Sequence, residues 1–274
     1  MLRASASRAI ARSIMKLSIT AQLDYTIRDE ADVRLQIEAA SDEAAQRVIE
    51  GKMRVATGSE LHPVPVETGI GRRTWTRGAG PFQVEYAATV EVERSVRDIA
   101  DLGTTPYAEL PGEAVPYIWP SRYCQSDQFE SFVAQQFGVL TGGAKIIAMA
   151  DWIETHLDYV PGASNAQTGA TDSFISRQGI CRDYAHLLIS FARAAGIPAR
   201  MVSAYAWDLE PQDFHAVTEV WLDGAWQLVD ATGLAPIEGM VPIISGRDAT
   251  DIAFMTIFGR ADFNAQSVRV AKLD

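Results

Sequence analysis

The chain reads GICRDYAHLLISFARAAGIPAR over residues 179–200, and this stretch predicts a helix with a defined start and a defined end. Gly196 followed by Pro198 is the usual order at a helix C-terminus, so we predict a helix over about residues 181–195. Cys181 stands at its start, where unpaired backbone N–H groups and the helix dipole stabilise a thiolate. This position suits a nucleophile, and the alternative for a free cysteine is a buried structural thiol.

An Asp-Gly pair joins two of the strand-like runs that follow this helix. The runs cover residues 199–205, 214–222 and 226–230. Asp223-Gly224 is the signal for a two-residue type I′ turn, which fixes the register of the flanking strands. In that register His215 and Asp230 are diagonal neighbours on one face, about 7 Å apart at the backbone. The sequence therefore predicts a His–Asp pair, in which the second imidazole nitrogen is left to take a thiol proton. A slip of one residue would separate the two side chains.

The remaining histidines and the second cysteine have structural interpretations. His186 lies five residues after Cys181, about 140° around the helix, so these side chains cannot face the same site. His156 stands near the end of a predicted helix, and His62 lies in a Pro-rich loop. Cys124 has no hairpin histidine as a partner, which favours a structural thiol.

Strands dominate the first part of the chain, and helices come later. Apolar and polar side chains alternate over residues 16–27, 33–38 and 82–92. These runs are separated by turn residues, a pattern that favours a β-sandwich. Helical patterns follow over about residues 127–137 and 144–157, with Asp127 as the expected N-cap of the first and Gly142-Gly143 as its end. Because helices precede the later strands without βαβα alternation, we predict an α+β fold.

A run of prolines marks the expected domain boundary. These residues are Pro106, Pro111, Pro116 and Pro120. Proline has no backbone N–H to donate to a β-ladder, so this run favours an extended connector. A chain of 274 residues also fits about two domains of ordinary size. We therefore expect an N-terminal β domain over residues 16–104 and a second domain over residues 105–274.

The first 15 residues are rich in Arg and Ser and contain no acidic residue. This composition is similar to that of an organelle transit peptide, whereas Arg8 and Arg12 interrupt the apolar run that a secretory signal needs. The alternative is a disordered extension with Met15 as the natural start. We expect a disordered extension over residues 1–15.

Composition and charge exclude several functional classes. Hydrophobic residues make up 47% of the chain, enough to bury a core. Acidic residues number 35 against 24 Lys and Arg, and the net charge of −11 argues against nonspecific nucleic-acid binding. No run approaches the roughly 18 apolar residues of a membrane helix. We expect a soluble protein that binds neither nucleic acid nor membranes.

The cysteines also bear on metal sites and on the compartment. Two cysteines cannot supply four zinc ligands unless histidines join them, and the chain has no Cys-x-x-Cys redox pair. We identify no cluster that would build a metal site. Single thiols favour a reducing compartment, so we expect a cytoplasmic protein.

Four short motifs resemble the bacterial transglutaminase-like cysteine protease superfamily. They are a Gly-x-Cys, a Gly-Ile-Pro-Ala-Arg, a His-Ala and a Trp-x-x-x-Asp, in the expected order within residues 105–235. The resemblance implies a papain-like core with a catalytic helix packed on an antiparallel sheet, preceded by an N-terminal β domain. It implies that Cys181 is the nucleophile, His215 the base and Asp230 the orienting acid. Val217 and Ala231 depart from the family, which often has Trp and Pro at these positions.

The chemistry that the resemblance implies is acyl transfer through a thioester. Water as the acceptor gives a peptidase or amidase that acts on a protein or peptide substrate, and this is our expectation. An amine as the acceptor gives a transglutaminase. The third possibility is a noncatalytic binding module that retains the fold. None of these requires a cofactor.

Overall fold

Along the chain, a first group of strands is followed by a mostly helical group and then by a second group that is mostly strands. The structure is a computed structural model and describes residues 14–41, 43–67, 69–94 and 98–273. The first strands are β1 (Met15–Leu35), β2 (Gln46–Val55), β3 (His62–Pro65) and β4 (Arg72–Val92). The middle elements are α1 (Glu130–Phe137), α2 (Gly142–His156), β5 (Asp158–Tyr159), α3 (Ala170–Ser176), β6 (Gln178–Gly179) and α4 (Cys181–Ala194). The last are β7 (Ala199–Ala206), β8 (Phe214–Leu222), β9 (Ala225–Val229), β10 (Met240–Gly246), α5 (Ala249–Ile252), β11 (Met255–Ile257) and β12 (Ala261–Leu273).

The first sheet is built around the long antiparallel pair of β1 and β4. It has six strands, in the order β11-β1-β4-β2, with β12 also on β1 and β3 also on β4. Side chains of β1 alternate between buried and exposed positions, as expected of a strand with one face in the core. We predicted two strands over residues 16–27 and 33–38. The structure has one strand instead, because a register shift between Ile27 and Ala31 lets it bend without ending.

The last strands of the chain return to this first sheet. β12 pairs with β1 along its N-terminal half, with Lys16 opposite Leu273, and β11 pairs with its C-terminal half. Residues 255–273 are therefore hydrogen-bonded to the N-terminal strands rather than to the sheet that precedes them. The expected division at residue 104 and the sandwich-like arrangement stay predictions. Met15 begins β1, and residues 1–13 of the expected extension lie outside the described residues.

The second sheet carries the predicted hairpin and packs on α4. Its strand order is β10-β7-β8-β9, all antiparallel. Leu187, Leu188 and Phe191 of α4 are fully buried, and each such side chain contributes roughly 1.5–3 kcal/mol when it leaves water. Helices and antiparallel sheets that occupy separate parts of the chain confirm the predicted α+β class.

The two sheets meet along the outer edge of β10. The backbone N–H of Ala40 and the Nε2 of Gln46 both donate to the carbonyl oxygen of Pro242, at 3.0 and 2.9 Å. The Tyr205 hydroxyl on β7 donates to the carbonyl oxygen of Ile37 at 2.6 Å. Ser245 donates its N–H to Ile70 at 3.2 Å. The edge of β10 is thus covered by residues of the first sheet and its loops.

Two local predictions about the helices were wrong. Asp127 does not cap α1, because residues 126–128 form a short 3-10 turn and the helix begins at Glu130. Gly142 and Gly143 begin α2 rather than end α1. A Cβ at Gly143 would collide with the carbonyl oxygen of Ile99, so the close approach of these two segments requires glycine there. Among the described residues, no helix is both long and apolar enough to span a membrane.

Candidate active site

The helix α4 places Cys181 at its first position, as predicted. Ile180 precedes it as the N-cap, and Asp183 closes a capping box in which the Ile180 N–H donates to Asp183 Oδ2 at 2.9 Å. Arg182 holds the neighbouring loop by donating to the carbonyl oxygen of Asn165 at 2.8 Å. Cys181 is partly exposed and forms no disulfide. The sulfur therefore lies at a fixed helix N-terminus that solvent can reach.

The hairpin brings His215 and Asp230 together. Leu222 lies opposite Ala225, and the register continues as predicted to Thr218 and Val229. The distance from His215 Nε2 to Asp230 Oδ2 is 2.9 Å, and 1% and 4% of the two side chains are exposed. The other carboxylate oxygen of Asp230 accepts from the backbone and the hydroxyl of Thr232, at 2.9 and 2.8 Å. The predicted His–Asp contact is confirmed, and both carboxylate oxygens of Asp230 accept hydrogen bonds.

Cys181, the third residue of the predicted set, also lies beside His215. His215 also interacts with the Cys181 side chain. Burial alone would lower the pKa of His215, but the interactions with Asp230 and Cys181 raise it to about 10. These interactions favour the imidazolium over the neutral ring. Since Nε2 faces Asp230, Nδ1 is the nitrogen left for the sulfur.

Tyr159 is a site residue that the sequence did not indicate. The short parallel pair of β5 and β6 sets Tyr159 opposite Gly179, two residues before Cys181. The Tyr159 hydroxyl interacts with both the backbone and the side chain of Cys181. Burial and the charge of Cys181 raise the pKa of Tyr159 to about 12, so the hydroxyl stays protonated. A pair of two-residue strands has no sequence signature, which is why this contact was missed.

The other histidines and Cys124 lie away from this cluster. His186 is fully buried, stacks on Tyr123 at 5.2 Å and accepts at Nε2 from the N–H of Ala249 at 3.2 Å. His156 stacks on Trp152 at 4.2 Å, and His62 is exposed on β3. Cys124 is fully buried, and burial raises the pKa of its thiol to about 12. These positions agree with the structural interpretations of all four residues.

Glu219 lies on the strand that carries His215, and its partner is Arg200. Its Oε2 accepts from Arg200 Nε at 2.5 Å, and the two side chains are 5% and 6% exposed. Burial raises the pKa of Glu219, while Arg200 opposes that shift. The Arg200 guanidinium also lies 4.2 Å over the Trp226 ring. Within the described ranges, no group of three or more His, Cys, Asp or Glu side chains could hold a metal ion.

A solved structure matches almost the whole chain. The crystal structure of a candidate cysteine protease from Cytophaga hutchinsonii is 35% identical and superposes with a TM-score of 0.91. The match covers 96% of this chain and 92% of that chain. A match of this extent covers both sheets and the helices between them.

Curated relatives match a shorter part of the chain. An uncharacterized protein of Mycobacterium leprae is 31% identical over 119 residues, which are 39% of this chain and 42% of the relative. One of Mycobacterium tuberculosis is 29% identical over 119 residues, 38% of each chain. This chain thus spans about two fifths of the length of the curated relatives it matches.

A family model covers the middle of the chain. The model of the Transglutaminase-like superfamily matches residues 131–231, a range that runs from α1 to the residue after Asp230. The same range contains Cys181 and His215. Taken with the nearly full-length structural relative, this match establishes that the chain belongs to the transglutaminase-like superfamily.

Proposed function

We propose that this protein is a cysteine-nucleophile amide hydrolase that acts on peptides or proteins. Cys181 is the nucleophile, His215 is the general base and acid, and Asp230 orients the imidazole. The observation that carries the proposal is the 2.9 Å hydrogen bond between His215 Nε2 and Asp230 Oδ2, on an imidazole that also interacts with the Cys181 side chain. An imidazole beside a sulfur can exchange a proton with it, which such chemistry requires.

The reaction proceeds in two acyl-transfer steps. The Cys181 sulfur attacks the carbonyl carbon, a C–S bond forms and the electron pair moves to the carbonyl oxygen. His215 then gives its proton to the leaving nitrogen as the C–N bond breaks, which releases an amine and leaves a thioester. In the second step His215 takes a proton from water, the hydroxide displaces sulfur, and the acid product leaves.

The oxygen that becomes negative in each step needs hydrogen-bond donors. The backbone N–H of Cys181 at the start of α4 is the first donor that we propose. The Tyr159 hydroxyl is the second, since it interacts with Cys181 and its raised pKa keeps the proton in place.

The compartment is part of the proposal as well. Both cysteines are free thiols, and a reducing environment preserves them in that form. We propose a cytoplasmic location on this ground.

The first test measures how reactive the two thiols are. The full chain is treated with iodoacetamide between pH 5 and 9, and the modified residue is located by intact mass and peptide mapping. We expect rapid labelling of Cys181, little labelling of Cys124, and a rate that falls about 100-fold in His215→Ala. Cys181→Ser is the control that removes the fast site. Equal, slow labelling of both thiols would refute the proposed nucleophile.

The second test decides the acceptor. Peptide amide donors are incubated with the protein, with and without a primary amine, and products are identified by mass spectrometry. Free acid in both reactions supports hydrolysis. Amine-linked product instead would establish a transglutaminase, and no product from an alkylation-competent protein would favour a binding module. Tyr159→Phe should slow turnover of a donor while leaving the alkylation rate within a few-fold, because alkylation forms no oxyanion.

A further inference from the structure

The two edges of the second sheet differ in what covers them. On the β10 side, the first sheet covers the edge through Ala40, Gln46 and Ile70. On the other side, β9 pairs with β8 and with no other described strand. An open strand edge presents a row of unpaired N–H and C=O groups that another strand can use.

The backbone groups that β9 presents can be identified from the hairpin. Asp223 and Gly224 have φ values of 49° and 74°, as a type I′ turn requires, so the flanking Leu222 and Ala225 form a hydrogen-bonded pair. Bonding then alternates along β9. The N–H and C=O groups of Gln227 and Val229 face β8, whereas those of Trp226 and Leu228 point away from the sheet.

An independent contact supports this assignment. Trp221 donates its N–H to the carbonyl oxygen of Pro198 at 2.9 Å, on the β7 side of β8. Its neighbours Val220 and Leu222 therefore face β9. Among the described residues, the outward groups of Trp226 and Leu228 have no hydrogen-bond partner.

A pocket of 540 Å³ runs along this open edge. The lining consists of residues 226–230, of Ile147, Ala150 and Asp151 from α2, of segments 43–45 and 93–94, and of Ile99 and Ile237. The volume lies within the range of sites that hold small ligands or a few residues of a peptide. The apolar part of the lining includes Ile147 and Leu228, so alternate side chains of an added strand would find apolar contacts.

The charged lining of the pocket is mostly acidic. Among the described residues of this lining, Glu43, Glu93, Asp151 and Asp230 contribute carboxylates and Arg94 contributes a guanidinium. The Arg94 guanidinium lies 3.8 Å from a Glu43 carboxylate oxygen, so these two charges offset each other. The pocket therefore favours a cationic occupant.

We propose that the β9 edge binds an extended, lysine- or arginine-containing peptide by strand addition. The peptide backbone pairs with the outward groups of Trp226 and Leu228, and its basic side chains face the acidic lining. The site ends at Asp230, the residue bonded to His215. The inference does not depend on Cys181 being a nucleophile, because it concerns binding alone.

The test uses the full chain with Cys181→Ala, so that a peptide cannot be turned over. The probe is a fluorescein-labelled peptide with the sequence Thr-Lys-Val-Lys-Val-Thr, blocked at its C-terminus. Binding is followed by fluorescence anisotropy, and amide hydrogen exchange is followed by NMR. We expect saturable binding and exchange slowed about 10-fold or more at Trp226 and Leu228, with Gln227 and Val229 unchanged.

Matched controls separate strand pairing from simple charge attraction. Asp151→Lys should weaken binding at least about 5-fold, whereas Glu60→Lys, an exposed acidic residue outside the pocket, should not. A peptide with Pro in place of both Val residues should lose binding, because the two prolines have no N–H to donate to β9. Equal affinity for a Glu-containing peptide, unchanged exchange at Trp226 and Leu228, or light scattering that shows a second copy of the chain on this edge would overturn the proposal.

Discussion

The two thiols of this chain differ because of what surrounds each sulfur. Cys181 stands at a helix start and interacts with His215 and Tyr159. Cys124 is fully buried, and burial raises its pKa to about 12. A buried neutral thiol packs as a small apolar group, whereas a partly exposed one beside an imidazolium can react.

Asp230 is the residue whose replacement should change the titration of His215 most clearly. In Asp230→Asn the ring keeps its burial but loses the carboxylate, so the pKa of His215 should fall from about 10 towards or below its ordinary value. The imidazolium would then be lost near neutral pH, and alkylation of Cys181 at pH 8 should slow by about 100-fold. The measurement is an NMR titration of the imidazole together with the alkylation rate.

The control for this substitution is Asp223→Asn, which lies in the hairpin turn and bonds to the Gly103 N–H instead. It should leave both readouts unchanged. A His215 pKa that stays near 10 in Asp230→Asn would mean that the carboxylate does not raise it.

His186 should make the protein less stable in mild acid. Burial, reinforced by Arg182, lowers its pKa from 6.5 to about 4, so between these values the unfolded chain binds more protons than the folded one. The free energy of unfolding should therefore fall as pH decreases from 6.5 through 4, by at most about 1.4 kcal/mol per pH unit from this group. Denaturant unfolding at several pH values measures the slope.

The comparison variant for this prediction is His186→Gln. Glutamine keeps an oxygen that can accept from the Ala249 N–H but does not titrate. The free energy of unfolding of this variant should depend less steeply on pH over this range than that of the parent protein. Identical slopes would assign the acid sensitivity to other groups.

At the scale of elements, the parts that could be predicted are those with local signals. The α4 helix has Gly196 and Pro198 at its end, and the hairpin has a turn whose geometry determines the register by itself. That register was enough to predict the contact between His215 and Asp230. Tyr159 could not be predicted, because β5 and β6 are two residues each and pair only after the helices between them have packed.

Gly224 is the residue on which the hairpin turn depends. It has a φ of 74° and open space around its Cβ position, so Gly224→Ala adds no collision but places alanine in a left-handed conformation. The free energy of unfolding should decrease by about 1–2 kcal/mol. Urea denaturation measures this change in the free energy of unfolding. The control is Gly112→Ala, because Gly112 also lies in open space but has no positive φ. A Gly224→Ala protein as stable as its parent would show that the turn tolerates alanine.

Across the whole molecule, the two sheets share buried side chains and hydrogen bonds. Tyr205 of the second sheet stacks on Tyr86 of the first at 6.1 Å and donates to Ile37 at 2.6 Å. Tyr86 in turn accepts from the Ala39 N–H at 3.0 Å. Because both tyrosines lie at one junction, the two sheets should unfold together.

Tyr205→Phe tests this coupling. It leaves the Ile37 carbonyl buried without its partner, which should lower the free energy of unfolding by about 1–3 kcal/mol in a single transition. The transition is followed by far-UV circular dichroism and by tryptophan fluorescence. Tyr107→Phe, at a tyrosine that is 65% exposed, is the control. Two separate transitions would contradict the shared junction.

The pairing of the last strands with β1 lies beyond what the sequence could reveal. Residues 261–273 alternate no more clearly than other runs, and their partner is at the opposite end of the chain. Such pairing is decided by the finished core rather than by local preference. The single long β1 was missed for a related reason, since only its partners keep the strand continuous across the bend at Ile27.

The position of β12 also sets the order in which the molecule can be completed. During synthesis β1 emerges well before β12, so one edge of β1 stays unpaired while α4 and the second sheet are still being made. Contacts between such distant segments slow folding, and an uncovered strand edge can recruit other chains in the meantime. The same closing strand holds the residues just before His215, because the Gln212 side chain bonds to both the N–H and the carbonyl of Val270, at 2.7 and 3.0 Å. A chain that still lacks β12 would therefore lack the support that Val270 gives beside His215.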